Sequence, residues 1–198
     1  MTKVLTFKVG IEELENKIWR EIEITDKRTV ADLAYTILAS FDSLAYHLYK
    51  IKHGKDLYDC MIDTDFIDED VEYLNAVNTS LDKLDFSKNK KMVMRYDFGT
   101  PTVFIINFLN SRELEKYNAN HYPYVVDGAG RGMLDDITGE ELKEIVEDID
   151  KKGYSEHYFT PGYERKIKYD YRDFDIKGNN ILLKGLVSEI KSGYEDGE

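Results

Sequence analysis

The chain has 198 residues, with 39 Asp and Glu against 27 Lys and Arg, a formal net charge of −12 and 42% hydrophobic residues. That length holds one domain, or one and a half, around a substantial core, and the acidic balance disfavours generic contact with phosphate backbones or anionic membrane surfaces. The single cysteine, Cys60, excludes an intrachain disulfide and a Cys-x-x-Cys zinc pair, and no run approaches the roughly 18 apolar residues of a membrane span.

Leu5, Phe7 and Val9 alternate with Thr6 and Lys8, which predicts a first strand. Ile18, Ile22 and Ile24 alternate with Trp19, Glu21 and Glu23 in a second. Val30, Leu33, Ala34, Ile37, Leu38 and Phe41 form one helical stripe, with Thr29 as N-cap and Asp32 completing a variant capping box. "YHLYKIKHG" reads as a third strand, closed by Gly54, with His47 on the face of Tyr49 and Ile51. "KDLYDCMI" is a short fourth. Residues 63–78 read as an irregular or partly helical insertion. A helical turn at "TSLDKLDF" precedes the strand "KKMVMRYDF", whose Met92, Met94, Tyr96 and Phe98 share a face. "TVFIINFL" follows, with Phe104, Ile106 and Phe108 together.

This order predicts an α+β fold with a mixed sheet and one helix across it. It resembles the β-grasp topology of ubiquitin, in which the last strand runs beside the first. Further on, "DITGEELKEIVEDIDKKG" is a helix from Thr138 as N-cap to Gly153 as C-terminal cap. A final helix runs from about Asn180 to Ser192 and is expected to bury Leu182, Leu183, Leu186, Val187 and Ile190. Residues 1–136 are expected to form the α+β domain, 137–192 a helical extension on the same body, and 193–198 a disordered acidic tail.

Chemistry is sparse. In "VVDGAGRGMLDD" the alternating Gly128, Gly130 and Gly132 fit neither a Rossmann fingerprint nor a Walker loop, and Asp127, Asp135 and Asp136 repel phosphate. We read a flexible connection. Asp148, Asp150 and Gly153 imitate a calcium loop, but Lys152 and Phe159 stand where ligands are required. Asp63, Asp65, Asp68 and Glu69 read as a solvated acidic loop. The four histidines are dispersed, and no Gly-x-Ser-x-Gly elbow is present. In "MRYDFGTP", Asp97 precedes Gly99 and Pro101 and is expected to cap a hairpin corner, with Phe98 and Phe104 both reaching the core. The expected partners of Asp97 are turn amides or an arginine, Arg20 or Arg95. Trp19, Tyr96 and Gly99 are assigned structural roles, with Trp19 buried beneath the C-terminal elements.

Several of these stretches carry a likeness. "IWREIEI" with Ile18, Trp19 and Arg20, "TVADLAYTILASF", "YHLYKI" with His47, "YDFG" at Tyr96–Gly99 and "YPYVVDGAGRGMLDD" resemble the plasmid pRiA4b ORF-3-like family over residues 4–136. The resemblance implies a grasp-like α+β fold and a loose association with mobile elements, and no biochemical activity. The family's "YDFG" is usually followed by Asp, then by Trp and His on the next strand. Thr100, Thr102 and Phe104 stand there instead, and the family's cysteine in the acidic stretch is absent.

The expectation is therefore a cytoplasmic, non-enzymatic interaction module with a protein partner, no nucleic acid, no membrane, no metal and no cofactor. One alternative is a metal- or small-molecule-dependent enzyme whose polar site gathers His47, Asp97, Asp127, Asp135 and Asp136. Another is an acidic decoy for a nucleic-acid-binding protein.

Overall fold

The computed structural model describes residues 1–60, 72–115, 119–133, 135–159 and 167–196. In chain order it contains β1 (Lys3–Ile11), β2 (Trp19–Thr25), α1 (Val30–Ser40), β3 (Tyr49–His53), β4 (Asp56–Asp59) and β5 (Glu72–Asn75). There follow β6 (Lys91–Tyr96), β7 (Thr102–Glu113), β8 (Tyr124–Ala129), α2 (Gly139–Lys152), the short pair β9 (Tyr158–Phe159) and β10 (Ile167–Lys168), and α3 (Ile176–Glu195). Eight strands form one sheet in the order β5-β4-β3-β6-β7-β1-β2-β8. β4 and β5 run parallel, and the other described neighbours run antiparallel. The fold is α+β with a mixed sheet. The grasp-like order would set β6 beside β1; that place is taken by β7, which is long enough to pair with both. Among the described residues no helix is long and apolar enough to cross a membrane.

The core lies on one face of this sheet. Phe7 stands opposite Ile22 and Phe108, and Val9 opposite Arg20 and Ile106, so alternation puts all of them on one side. α1 starts at the expected capping box, Thr29 with Asp32. All eleven of its residues are buried, because the sheet covers one side and α3 packs on another. The α2 stripe of Leu142, Ile145, Val146 and Ile149 joins the same core, and Gly153 closes α2 in the left-handed conformation at φ 85°.

Several expectations need correction. Trp19 pairs with Gly10 on the opposite, solvent-facing side of the sheet, and is only half-buried, with Lys8 Nζ 4.4 Å from its ring. Its neighbour Arg20 takes the inner face. Phe98 is 42% exposed rather than in the core. β6 ends at Tyr96 and Asp97 is left-handed at φ 58°, so the strand's alternation stops before Phe98. Leu182 and Leu186 are exposed, since α3 turns Leu183, Val187, Ile190 and Tyr194 inward, a spacing of i, i+4, i+7 and i+11. α3 also runs on through Glu195, into the expected acidic tail.

The stretch read as a flexible connection contains β8, an edge strand paired with β2. Its glycines answer local needs: Gly130 has φ 76°, and a Cβ on Gly132 would sit 1.8 Å from the Phe41 carbonyl oxygen. Within the insertion read as irregular, residues 72–75 form β5. The cluster Asp63, Asp65, Asp68 and Glu69 lies outside the described residues.

Candidate functional site

Three loops meet where α1, β6 and the segment before α2 come together. The first runs from Asp42 to Leu48, between α1 and β3. His47 lies on it rather than on the strand expected from Tyr46, because β3 begins only at Tyr49, two positions further on. The second is the β6–β7 corner with Asp97. The third carries Asp135 and Asp136, just before the Thr138 cap of α2. Local chemistry sets their shapes. Ala45, Asp97 and Asp136 all have left-handed backbone, with φ of 56°, 58° and 62°. Aspartate tolerates that region because its short side chain bonds nearby backbone, whereas alanine is strained there.

His47 Nε2 stands 3.1 Å from Asp136 Oδ1 and 3.5 Å from Asp97 Oδ2. One ligand atom from each of the three residues lies within 4.8 Å of the others. Asp97 is buried, whereas the Asp136 side chain is 67% exposed and forms the open side. Asp97 also organises its corner: Oδ1 accepts the Gly99 amide at 2.9 Å, and Oδ2 accepts the Thr100 hydroxyl. The expected arginines are elsewhere. Arg20 is buried against Ser40 and Ala129, and Arg95 alternates to the other face of β6. Thr102 and Phe104 are buried in the core and add nothing to the cluster.

Around this centre sits a ring of hydroxyls. Tyr46 donates to Asp136 Oδ2. Asp135 accepts from the Ser43 hydroxyl at 2.9 Å, the Leu44 amide at 2.9 Å and the Tyr96 hydroxyl at 3.2 Å. Tyr194, near the end of α3, donates to the His47 carbonyl and stacks on Tyr35, 5.4 Å between ring centroids. Burial pushes the Asp97 carboxyl up, but bonds from Thr100 and Gly99, with His47 nearby, outweigh it and hold the group below the usual carboxylate range. The Tyr46 hydroxyl and then His47 hold Asp136 low. Burial pushes Asp135 up, against its three hydrogen bonds. Two firmly ionised carboxylates thus flank an imidazole, with a third carboxylate of weaker acidity behind.

Four of the five candidate polar residues are brought together. Asp127 is not among them: it is exposed on β8 opposite Glu21, its Oδ1 accepting the Gly128 amide at 2.8 Å. Ser43, Tyr46 and Tyr194 were not foreseen; no spacing in the chain links them to positions 50 to 150 residues away. The calcium-loop imitation is spent on ordinary contacts, since Asp148 pairs with Lys152 at 2.7 Å and Asp150 takes Lys17 and the Tyr171 hydroxyl. A separate cleft of about 440 Å³ is lined by Ile11, Pro101, Val103 and Thr138, and its charged lining residues, Glu12, Glu13 and Glu140, are all acids.

The family described as plasmid pRiA4b ORF-3-like protein matches residues 3–178. That range reaches well past the 4–136 read from the sequence and takes in all of α2. Among solved structures, a protein of unknown function from Methanosarcina mazei Go1 is similar, with a TM-score of 0.70 and 19% identity. The match covers 89% of this chain and 96% of that one, and at such identity it speaks for the fold. No curated protein matches the sequence.

Proposed function

The chain belongs to the plasmid pRiA4b ORF-3-like family, and from that premise and the geometry above we propose that it acts through a divalent transition-metal ion held by His47, Asp97 and Asp136. The separation of the donor atoms carries the reading. Two ligand atoms each about 2.1 Å from a tetrahedral metal stand about 3.4 Å apart; His47 stands 3.1 and 3.5 Å from the two carboxylates, and all three donor atoms lie within 4.8 Å of one another. One imidazole and two carboxylates suit Zn²⁺, Mn²⁺, Fe²⁺ or Co²⁺ better than Ca²⁺. Three protein ligands leave a fourth position for water or substrate, the arrangement of catalytic rather than structural sites. The Asp97 corner and the Tyr46 hydroxyl would orient the carboxylates from behind. A metal there would act as a Lewis acid toward a small molecule entering from the Asp136 side.

The test is titration with Co²⁺ and Zn²⁺, followed by calorimetry and by the visible absorption of bound cobalt. One ion per chain is expected, with at least a tenfold weaker Kd in His47→Ala and Asp136→Asn. Failure of the native chain to bind, or binding that ignores both substitutions, overturns the reading.

A non-enzymatic interaction module is the second reading. Ile181 and Leu182, 81% and 61% exposed on α3, favour it. It predicts measurable association with a partner or a second copy that Ile181→Lys abolishes, and a monodisperse monomer indifferent to that change argues against it.

A further inference from the structure

We infer that the ligand of the His47–Asp97–Asp136 site is a small organic molecule bearing one neutral or monoanionic oxygen-donor group on an apolar body; this rests on the metal reading above. Four large apolar side chains on the two loops that carry His47 and Asp97 face solvent: Leu44 at 60%, Tyr46 at 53%, Leu48 at 43% and Phe98 at 42% exposed. Their residues are tied to the ligands, or to Asp135 behind them, by the contacts that build the site. The Leu44 amide donates to Asp135, the Tyr46 ring lies 4.3 Å from that of His47, the Leu48 carbonyl accepts the Asp97 amide at 3.0 Å, and Phe98 follows Asp97 directly. Left-handed backbone at Ala45 and Asp97 interrupts the two segments between these side chains. Such an apolar collar beside a polar centre marks a binding surface, where scattered exposure would mark nothing.

Charge selects the head group. A divalent ion with neutral His47 and two ionised aspartates leaves the centre without net charge, and Asp135 lies immediately behind it. Lys50 on β3 lies 5.4 Å from the Phe98 ring, but Asp59 engages it at 3.2 Å, so its charge is already matched before a phosphate arrives. The chain's net charge of −12 adds repulsion toward polyanions. A carboxylate, hydroxamate or amide oxygen fits this balance, with its apolar remainder lying on the collar.

The experiment uses the full chain loaded with Co²⁺ and a series of acetohydroxamate, butanohydroxamate and hexanohydroxamate, with pyrophosphate for comparison. Binding is read from the cobalt absorption. Each methylene buried on the collar is worth about fourfold in affinity at full burial; with partial burial, hexanohydroxamate should bind at least tenfold more tightly than acetohydroxamate. Phe98→Ser and Leu44→Ser, each loaded with Co²⁺, should flatten that slope. Bound Co²⁺ with no dependence on chain length, or pyrophosphate binding more tightly than hexanohydroxamate, refutes this inference and leaves the metal reading standing. A chain that binds no Co²⁺ refutes both.

Discussion

Asp97 Oδ1 accepts the Gly99 amide while Oδ2 takes the Thr100 hydroxyl and faces His47 Nε2. Oδ1 thus serves the turn alone while Oδ2 serves both the turn and His47, and substitution can separate the two roles. Asn keeps the acceptor geometry and tolerates the left-handed backbone, so Asp97→Asn should cost about 0.5 kcal/mol or less in denaturant unfolding. The same variant should lose at least tenfold in Co²⁺ affinity. Asp97→Ala loses the cap and places a strained residue at φ 58°, which should cost about 1 kcal/mol or more. Equal metal affinity in the native and Asn proteins would leave Asp97 as a turn residue alone.

The signs of the carboxylate shifts set the response to pH. Asp97 and Asp136 are held below their ordinary values in the folded chain. Their contribution to stability is therefore present above the unfolded carboxylate value of about 4 and is lost as pH falls through the lower folded values. Both remain ionised in weak acid, so the unfolding midpoint of the metal-free chain should not fall on their account between pH 8 and pH 5.5. Asp97→Asn and Asp136→Asn should each remove part of the fall in midpoint that sets in below about pH 4. A fall of the same size in both variants would show that the fold holds neither carboxylate low.

β2 shows how one strand divides its labour between faces. Arg20 is fully buried among apolar neighbours, its Nε on the Ser40 carbonyl at 2.9 Å and its Nη1 on the Trp19 and Ala129 carbonyls at 2.9 and 2.8 Å. Its guanidinium stacks 3.6 Å from the Phe174 ring. Burial lowers its pKa to about 9, against the pull of Asp42, so it remains a cation at neutral pH. It joins β2, β8, the end of α1 and the approach to α3. Arg20→Ala should cost about 3 kcal/mol, leaving buried carbonyls short of donors, and Arg20→Lys should not restore it, because an ammonium cannot span the same fork. Trp19→Ala, on the solvent side, should cost about 1–2 kcal/mol rather than the 3–5 of a fully buried ring. Chemical denaturation that ranks Trp19 above Arg20 would reverse this assignment of faces.

α3 offers a second comparison within one turn. Leu183 is 1% exposed and Leu182 61%. Leu183→Ala should cost about 2–3 kcal/mol, and Leu182→Lys about 0.5 kcal/mol or less. The two residues are chemically identical and adjacent, and periodicity alone drew both inward. Their burial follows from where α1 and β8 meet the helix, which no window of α3 contains. The same holds for α3's last turn, where Tyr194 reaches the His47 carbonyl and Lys191 pairs with Asp32 at 3.1 Å.

Taken together, the sheet, the helices and the net charge of −12 argue against binding a nucleic acid. The one basic stretch, "YERKIKYDYR", contains Arg165 and Lys166, which lie outside the described residues. Of the others, Arg172 is held by Asp170 at 2.7 Å, and Lys168 lies 3.9 Å from Glu156. No binding to duplex DNA tighter than about 10⁻⁴ M is expected at physiological salt. Micromolar affinity that falls steeply with salt would contradict this, and would also remove the acidic-decoy alternative.

The order of residues along the chain was enough to specify the class of fold, the strands β1, β2, β6 and β7, the capped helices α1 and α2, and the family. These features rest on local signals: alternation, helical stripes and caps that act within one turn. It also named His47, Asp97, Asp135 and Asp136 as candidates, because acids and histidines beside glycines and turns stand out in any chain. Tertiary structure alone decided that those four meet while Asp127 stays on the sheet edge, that β7 rather than β6 lies beside β1, and which face of β2 receives Arg20. It decided, too, that Phe98 points to solvent, since a left-handed residue redirects the chain without leaving a periodic trace. Each of these depends on pairing between distant segments, and the free energy of such pairing belongs to contacts that exist only once the sheet has closed.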